Sequence, residues 1–168
     1  DALPIYSIDP KRIQELEKKE IEILRFNSQK DETDLELALQ EAARRGYKRI
    51  VIAFGLGGRL DHELANLGLL EQGKDKDIQL SFDDGITRVF LVSNEITLGA
   101  TPGDLISLIP WRDAVLVRET QNLAYPLRDE WLPYGTPRGV SNLALTKKIK
   151  VSLSKGKLLL VHIRQKNH

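Results

Sequence analysis

RIVIAFGLGGRLDHELANL, residues 49–67, reads as a strand, a turn and a helix in succession. Residues 49–54 are a short, largely apolar run suited to a buried parallel strand. Gly55, Gly57 and Gly58 follow, and an apolar helix pattern begins at Leu60. A tight strand-to-helix turn accounts for glycines. It does not account for Arg59, Asp61 and His62 crowded at the helix entrance. Glycines let a backbone approach a ligand and expose its N–H groups, and a helix N-terminus adds partial positive charge; both favour phosphate. Arg59 can grip a phosphate with two parallel hydrogen bonds. The stretch is not a Walker A loop, because the Gly-Lys-Ser/Thr ending is missing. Nor is it a full GxGxxG fingerprint, because Leu60 stands where the third glycine belongs. A glycine turn followed by an Arg–Asp ion pair is the plainer alternative, and the pattern alone leaves both open.

Upstream, strand and helix patterns alternate. PIYSI and IEILRF read as strands. Asp9 and Pro10 suit a helix start, and KRIQELEKK places Ile13 and Leu16 on one face. DETDLELALQEAARRG, 31–46, reads as a helix with Leu35, Leu39 and Ala42 on one stripe and Gly46 as its stop. This βαβαβα order predicts a parallel sheet with helical crossovers. Downstream of the polar QGKDKD the helical period ends. IQLSF, TRVFLVS, EITLG, DLISLIP, AVLVRE, KKIKVSLS and KLLLVHIRQ read as strands, punctuated by DDG, TPG, YGTPRG and SKG turns. The two strand patterns flanking SKGK suggest a terminal hairpin. The expected fold class is therefore α/β plus all-β. A partial Rossmann-like domain over 1–76 is followed by a β-sandwich over 77–168.

The totals narrow the function classes. With 41% hydrophobic and 29% charged residues the chain has a globular composition. No run of 18 apolar residues predicts a membrane span, and DALPIYSIDP is no signal peptide. A net charge of +1 gives no overall pull toward nucleic acid or membrane. The absence of cysteine excludes disulfides, thiolate metal sites and a cysteine nucleophile, and is compatible with a cytoplasmic setting.

Two further clusters carry chemistry. Asp31 and Asp34, three apart at a helix entrance with Thr33 between them, form an oxygen-rich edge suited to Mg²⁺. Thr33 and Glu36 also fit a capping box, which is the commoner use of such residues. In YGTPRGVSNLAL, 134–145, Ser141 and Asn142 can hydrogen-bond a small polar ligand, although such loops are usually turns. Trp111, Tyr125, Trp131 and Tyr134 lie near these loops, either lining a pocket for a flat heterocycle or packing the sandwich. His162, in an apolar strand, reads as a core or face position.

Taken in order, KDETDLELAL, GLGGRLDHELANL, GDLISLIP, NLAYPL and RGVSN resemble the thiamin pyrophosphokinase family. The resemblance runs from about residue 5 to 161. It implies an α/β domain followed by a β-sandwich, in a homodimer that binds thiamin at its interface. It implies Mg²⁺-dependent transfer of pyrophosphate from ATP to thiamin, giving thiamin diphosphate and AMP. By motif position, Asp9, Asp31 and Asp34 would hold the metal, with Thr33 beside the phosphates. Arg59 would grip the transferred group next to Gly57 and Gly58, with Asp61 beside it. Ser141 and Asn142 would face thiamin.

The chain departs from the family pattern in places. YSIDP keeps Asp9 of an early Gly-Asp-x-Asp-Ser motif but has Ser7 for its first aspartate and Pro10 for its serine. Asn122 replaces a usual glycine, Leu143 replaces a usual acid, and one upstream βα unit has no counterpart. A thiamin-binding or regulatory relative without turnover is the alternative that these departures suggest. If the metal role holds, Asp34→Asn weakens Mg²⁺-dependent nucleotide binding in an equilibrium titration and leaves the circular dichroism spectrum unchanged.

Overall fold

The computed structural model describes residues 10–20, 22–23, 32–53, 55–75 and 77–165. The expected strand over PIYSI, most of IEILRF, and both Asp9 and Asp31 lie outside the described residues. The chain divides into two compact units, Asp1–Gly46 and Tyr47–His168.

The first unit contains helices α1 (Pro10–Lys18) and α2 (Asp34–Arg44). Helix α2 starts where the capping pattern predicts. Thr33 is its N-cap, and Thr33 Oγ1 accepts from the Glu36 amide at 3.2 Å. Asp34 and Glu36 in its first turn complement the helix dipole. At its other end Glu41 accepts from Arg44 and Arg45, and Arg45 also reaches Glu22. The two guanidinium groups lower the Glu41 pKa to about 2.

The second unit begins with β1 (Arg49–Ile52), α3 (Leu60–Asp75) and β2 (Gln79–Asp83). Strands β1 and β2 pair in parallel, from Arg49 with Gln79 to Ile52 with Phe82, and α3 makes the crossover. From there the chain is antiparallel: β3 (Thr87–Val92), β4 (Glu95–Gly99), β5 (Leu105–Pro110), β6 (Val115–Gln121), β7 (Arg128–Leu132), β8 (Asn142–Leu143), β9 (Lys148–Lys155) and β10 (Leu158–Ile163). Among the described residues they form a six-stranded sheet, β1-β2-β3-β10-β5-β8, and a four-stranded sheet, β4-β9-β6-β7. An α/β part followed by a β-sandwich is the architecture the sequence predicts. The six-stranded sheet runs through the expected division at 76/77, since β1 and β2 are hydrogen-bonded neighbours.

The core lies between the sheets. Val92, Ile106, Leu108, Leu158 and Leu160 come from one sheet; Val115, Val117, Leu132, Ile149, Val151 and Leu153 come from the other. Their spacing of two along each strand is the half-buried pattern of a sandwich.

Three expectations need correction. The turn at SKGK does not close a hairpin. Strand β9 belongs to the four-stranded sheet and β10 to the six-stranded one, so the chain crosses the core there. Local turn chemistry is the same in both cases; only the partners of each strand distinguish them. Strand β1 is not buried on both faces, because Val51 is 52% exposed while Ile52 is 7% exposed, and β1 is the sheet's edge among the described residues. Finally, RDEWL forms β7, which its polarity concealed, because Arg128 and Asp129 lie exposed on an edge strand.

Of the core and face positions read for His162, the structure gives the core, and the residue is not alone there. Its Nε2 lies 2.7 Å from Asp104 Oδ2, and Arg88 Nη2 lies 2.6 Å from its Nδ1. Asp104 also accepts from the amides of Thr101 and Gln165. Arg88 has only donors, so Nδ1 accepts and Nε2–H donates. Burial, aided by Arg88, holds the His162 pKa below its usual value against the pull of Asp104. Burial pushes the Asp104 carboxyl up, but the two amides and His162 together outweigh it and the net shift is downward. Both shifts make the unfolded chain bind more protons than the native one in acid, so stability falls as pH falls. The melting temperature should hold steady from pH 8 to 7 and decline below about pH 6.5, the ordinary His pKa. His162→Gln should lower it at pH 8 and remove the first part of that decline.

Candidate phosphate and thiamin site

The 55–66 turn forms within the second unit, and each of its glycines has a different reason. A Cβ on Gly55 would lie 2.6 Å from the Phe82 ring and 2.9 Å from Ile52 Cγ2. Gly55 is therefore required by the packing of the turn on the sheet. Gly57 has φ +91°, a left-handed conformation that other residues rarely adopt. Gly58 has neither constraint; a Cβ there meets nothing within 4 Å. What it contributes is its amide. The N–H groups of Gly57 and Gly58 converge on one oxygen, Glu63 Oε1, at 3.0 and 2.7 Å. Asn66 Nδ2 donates to the Gly55 carbonyl at 2.8 Å and ties the turn to the helix.

Arg59 precedes α3, and its carbonyl accepts the helix bond from Glu63 N. Its guanidinium forks onto Asp61, with Nε to Oδ1 at 3.1 Å and Nη2 to Oδ2 at 2.5 Å. The Arg59 pair lowers the Asp61 pKa to about 2. This is the ion pair that the plainer alternative anticipates. Both side chains are mostly exposed, so the pair contributes little to stability and leaves Arg59 available to a stronger anion. Gly55, Gly57, Gly58, Arg59, Glu63 and Asn66 line a cavity of about 310 Å³.

The C-terminal candidates are arranged around β5. Gly139 O accepts from Leu108 N at 2.8 Å, and Ser141 N donates to Ser107 Oγ at 3.1 Å. Ser141 is exposed and has φ 61°, also left-handed. Asn142 is 6% exposed, and its amide is directed at backbone. Oδ1 accepts from Tyr125 N and Leu143 N, and Nδ2 donates to Tyr125 O at 2.6 Å. Asn142 thus holds the chain at Tyr125, whose ring is exposed. Trp131 and Tyr134 are exposed as well, so these three rings do not pack the sandwich core.

Two family models match in chain order: thiamin pyrophosphokinase, catalytic domain, over residues 5–82, and thiamin pyrophosphokinase, vitamin B1 binding domain, over residues 93–158. The chain belongs to the thiamin pyrophosphokinase family. It is 27% identical over 147 residues to the thiamine pyrophosphokinase of Bacillus subtilis (strain 168), a match covering 81% of this chain. The match spans 64% of that relative's length. The crystal structure of thiamine pyrophosphokinase from Bacillus subtilis superposes with a TM-score of 0.85 at 26% identity, over 95% of this chain and 76% of that one. That of thiamin pyrophosphokinase from Geobacillus thermodenitrificans has a TM-score of 0.79 at 21% identity, over 96% and 75% of the two chains, and is alike in fold.

Of the residues that the thiamin pyrophosphokinase resemblance singles out, Gly57, Gly58, Arg59 and Asp61 share one turn. Ser141 and Asn142 share the strand-β8 corner, and Thr33 and Asp34 begin α2. Sequence reasoning missed Glu63, Asn66 and Asp104. Glu63 carried a signal, since an acid in the first turn of a helix faces the amide groups that precede it. Asn66 carried none, and of Asp104's bonds only the one from the Thr101 amide is local, those to His162 and Gln165 being set by tertiary contact.

Gly139 is the steric key to the C-terminal corner. It has φ +140°, and a Cβ would lie 2.3 Å from Leu108 O. Gly139→Ala should cost about 2–4 kcal/mol in urea denaturation. Gly58→Ala, in open space, should cost about 1 kcal/mol or less.

Proposed function

We propose that this chain, from a family of thiamin pyrophosphokinases, transfers pyrophosphate from ATP to thiamin and yields thiamin diphosphate and AMP. The observation that carries the proposal is the 55–66 turn. Its two convergent amides, a forked arginine and a helix N-terminus border one cavity. Those groups suit a phosphate chain, whose transfer requires neutralised oxygens and in-line positioning more than covalent help. In this reading residues 1–76 carry catalysis and 77–168 bind thiamin, in keeping with the two matched models.

Gly57 N–H and Gly58 N–H would receive phosphate oxygens, and Arg59 would exchange Asp61 for the transferred group. Asp61 would then lie beside the reacting centre. Ser141 would face thiamin directly, while Asn142 would act by holding the Tyr125 backbone in place. Thiamin is a flat cation, which suits exposed aromatic rings such as Tyr125. Mg²⁺ would be held by Asp9, Asp31 and Asp34, with Thr33 adjacent. Asp34, exposed at the first turn of α2, is an oxygen donor of the hard type this ion takes. When bound, the ion supplies charge neutralisation on the phosphates. Homodimerisation and a cytoplasmic location belong to the same proposal. Among the described residues no helix is long and apolar enough to cross a membrane.

The test is AMP release from ATP and Mg²⁺ with and without thiamin. Thiamin-dependent AMP is the expected outcome, and Arg59→Ala should reduce it on the order of 100-fold. A folded chain that binds thiamin in a calorimeter but releases no AMP would refute transfer and leave a thiamin-binding relative.

A further inference from the structure

Glu63 is a polar side chain of the 55–66 turn to which the proposed reaction gives no part. Its Oε1 receives two hydrogen bonds, from Gly57 N at 3.0 Å and Gly58 N at 2.7 Å. These are the same two amides that the reaction would give to phosphate. We propose that Glu63 is a built-in anion that occupies the amide cradle until a phosphate-bearing ligand displaces it. The inference rests on the phosphate reading of that turn.

Three observations support it. The left-handed turn at Gly57 aims two successive amides at one point, which is the geometry of an anion nest. Nothing steric demands a glycine at 58, so that position's visible contribution is an amide directed at the cradle. Glu63 is also anchored by its own backbone, since Glu63 N donates to Arg59 O within α3. Rotation about its side-chain bonds can therefore vacate the cradle without moving the helix.

The arrangement matches the adjacent Arg59–Asp61 pair. Each group that would bind phosphate is matched, in its absence, by a carboxylate from the first turn of α3. Glu63 keeps the two amides satisfied and the left-handed turn in shape, at the cost of competing with the ligand. A pyrophosphoryl group, with more charge and more acceptor oxygens, displaces a single carboxylate. Glu63 thereby sets an affinity threshold that favours polyphosphate over singly charged anions.

The experiment is a calorimetric titration of wild type, Glu63→Ala, Glu63→Gln and Arg59→Ala with inorganic pyrophosphate at fixed Mg²⁺. Circular dichroism checks that each variant folds. Glu63→Ala should bind pyrophosphate about two- to fivefold tighter than wild type, the range for a partly exposed charged competitor. Glu63→Gln, which keeps the length but not the charge, should fall between, and it carries the comparison if the alanine variant does not fold. Equal or weaker binding by the Glu63 variants, with wild-type binding lost in Arg59→Ala, would overturn the inference and leave the phosphate reading intact. No pyrophosphate binding by any of the four proteins would overturn both.

Discussion

Strand β10 is the member on which the second unit depends. It pairs with β3 along one edge and β5 along the other, over six residues each. Its core face is closed off and its opposite face is partly covered. Leu158 and Leu160 point into the sandwich core, and Leu159, 4% exposed, is buried on the opposite face. Each such side chain is worth about 1.5–3 kcal/mol of transfer free energy. His162 lies on the core face, so its polar side chain must be matched. His162 is matched by Asp104, just before β5, and by Arg88 from β3, at the two neighbouring strands. Asp104 in turn takes the amides of Thr101 and Gln165, so one carboxylate joins two chain segments.

The candidate phosphate turn is held against this frame through β2. Phe82, 1% exposed, packs so close to Gly55 that no larger residue fits, and Asn66 closes the turn from the helix side. At the other end of α3, Glu71 pairs with Lys157 in the β9–β10 turn and lies 3.5 Å from Arg112. The helix is thus fastened at its entrance by packing and near its exit by charge. Its N-terminal amides are consequently held in one position, which is what a preorganised anion site requires.

The turn also shows how a binding site can be satisfied in itself. Its glycines, arginine and acids look excessive for a structural turn when read as a string. In three dimensions they form two internal pairs, amides with Glu63 and Arg59 with Asp61. The plainer reading is present in these atoms, and the proposed function gives each donor a second partner. Asp61 is exposed and Glu63 partly so, and a polyanion would offer both donors a stronger partner.

By itself the sequence determined the class of the fold, the order of most elements and the position of the glycine turn. These are local matters: a spacing of two or of three to four along the chain, a cap at Thr33, a left-handed residue at Gly57. It also carried the motif order that places the chain in its family. Only the tertiary structure decided which sheet each strand joins. SKGK has the chemistry of a hairpin, yet β9 and β10 face each other across the core, because their apolar sides are better buried there. The same holds for Asn142, which read as a ligand contact and is turned onto the Tyr125 backbone, and for Glu63, whose role depends on two amides five and six residues away. Side-chain partners are chosen by geometry that a chain acquires only once it has folded.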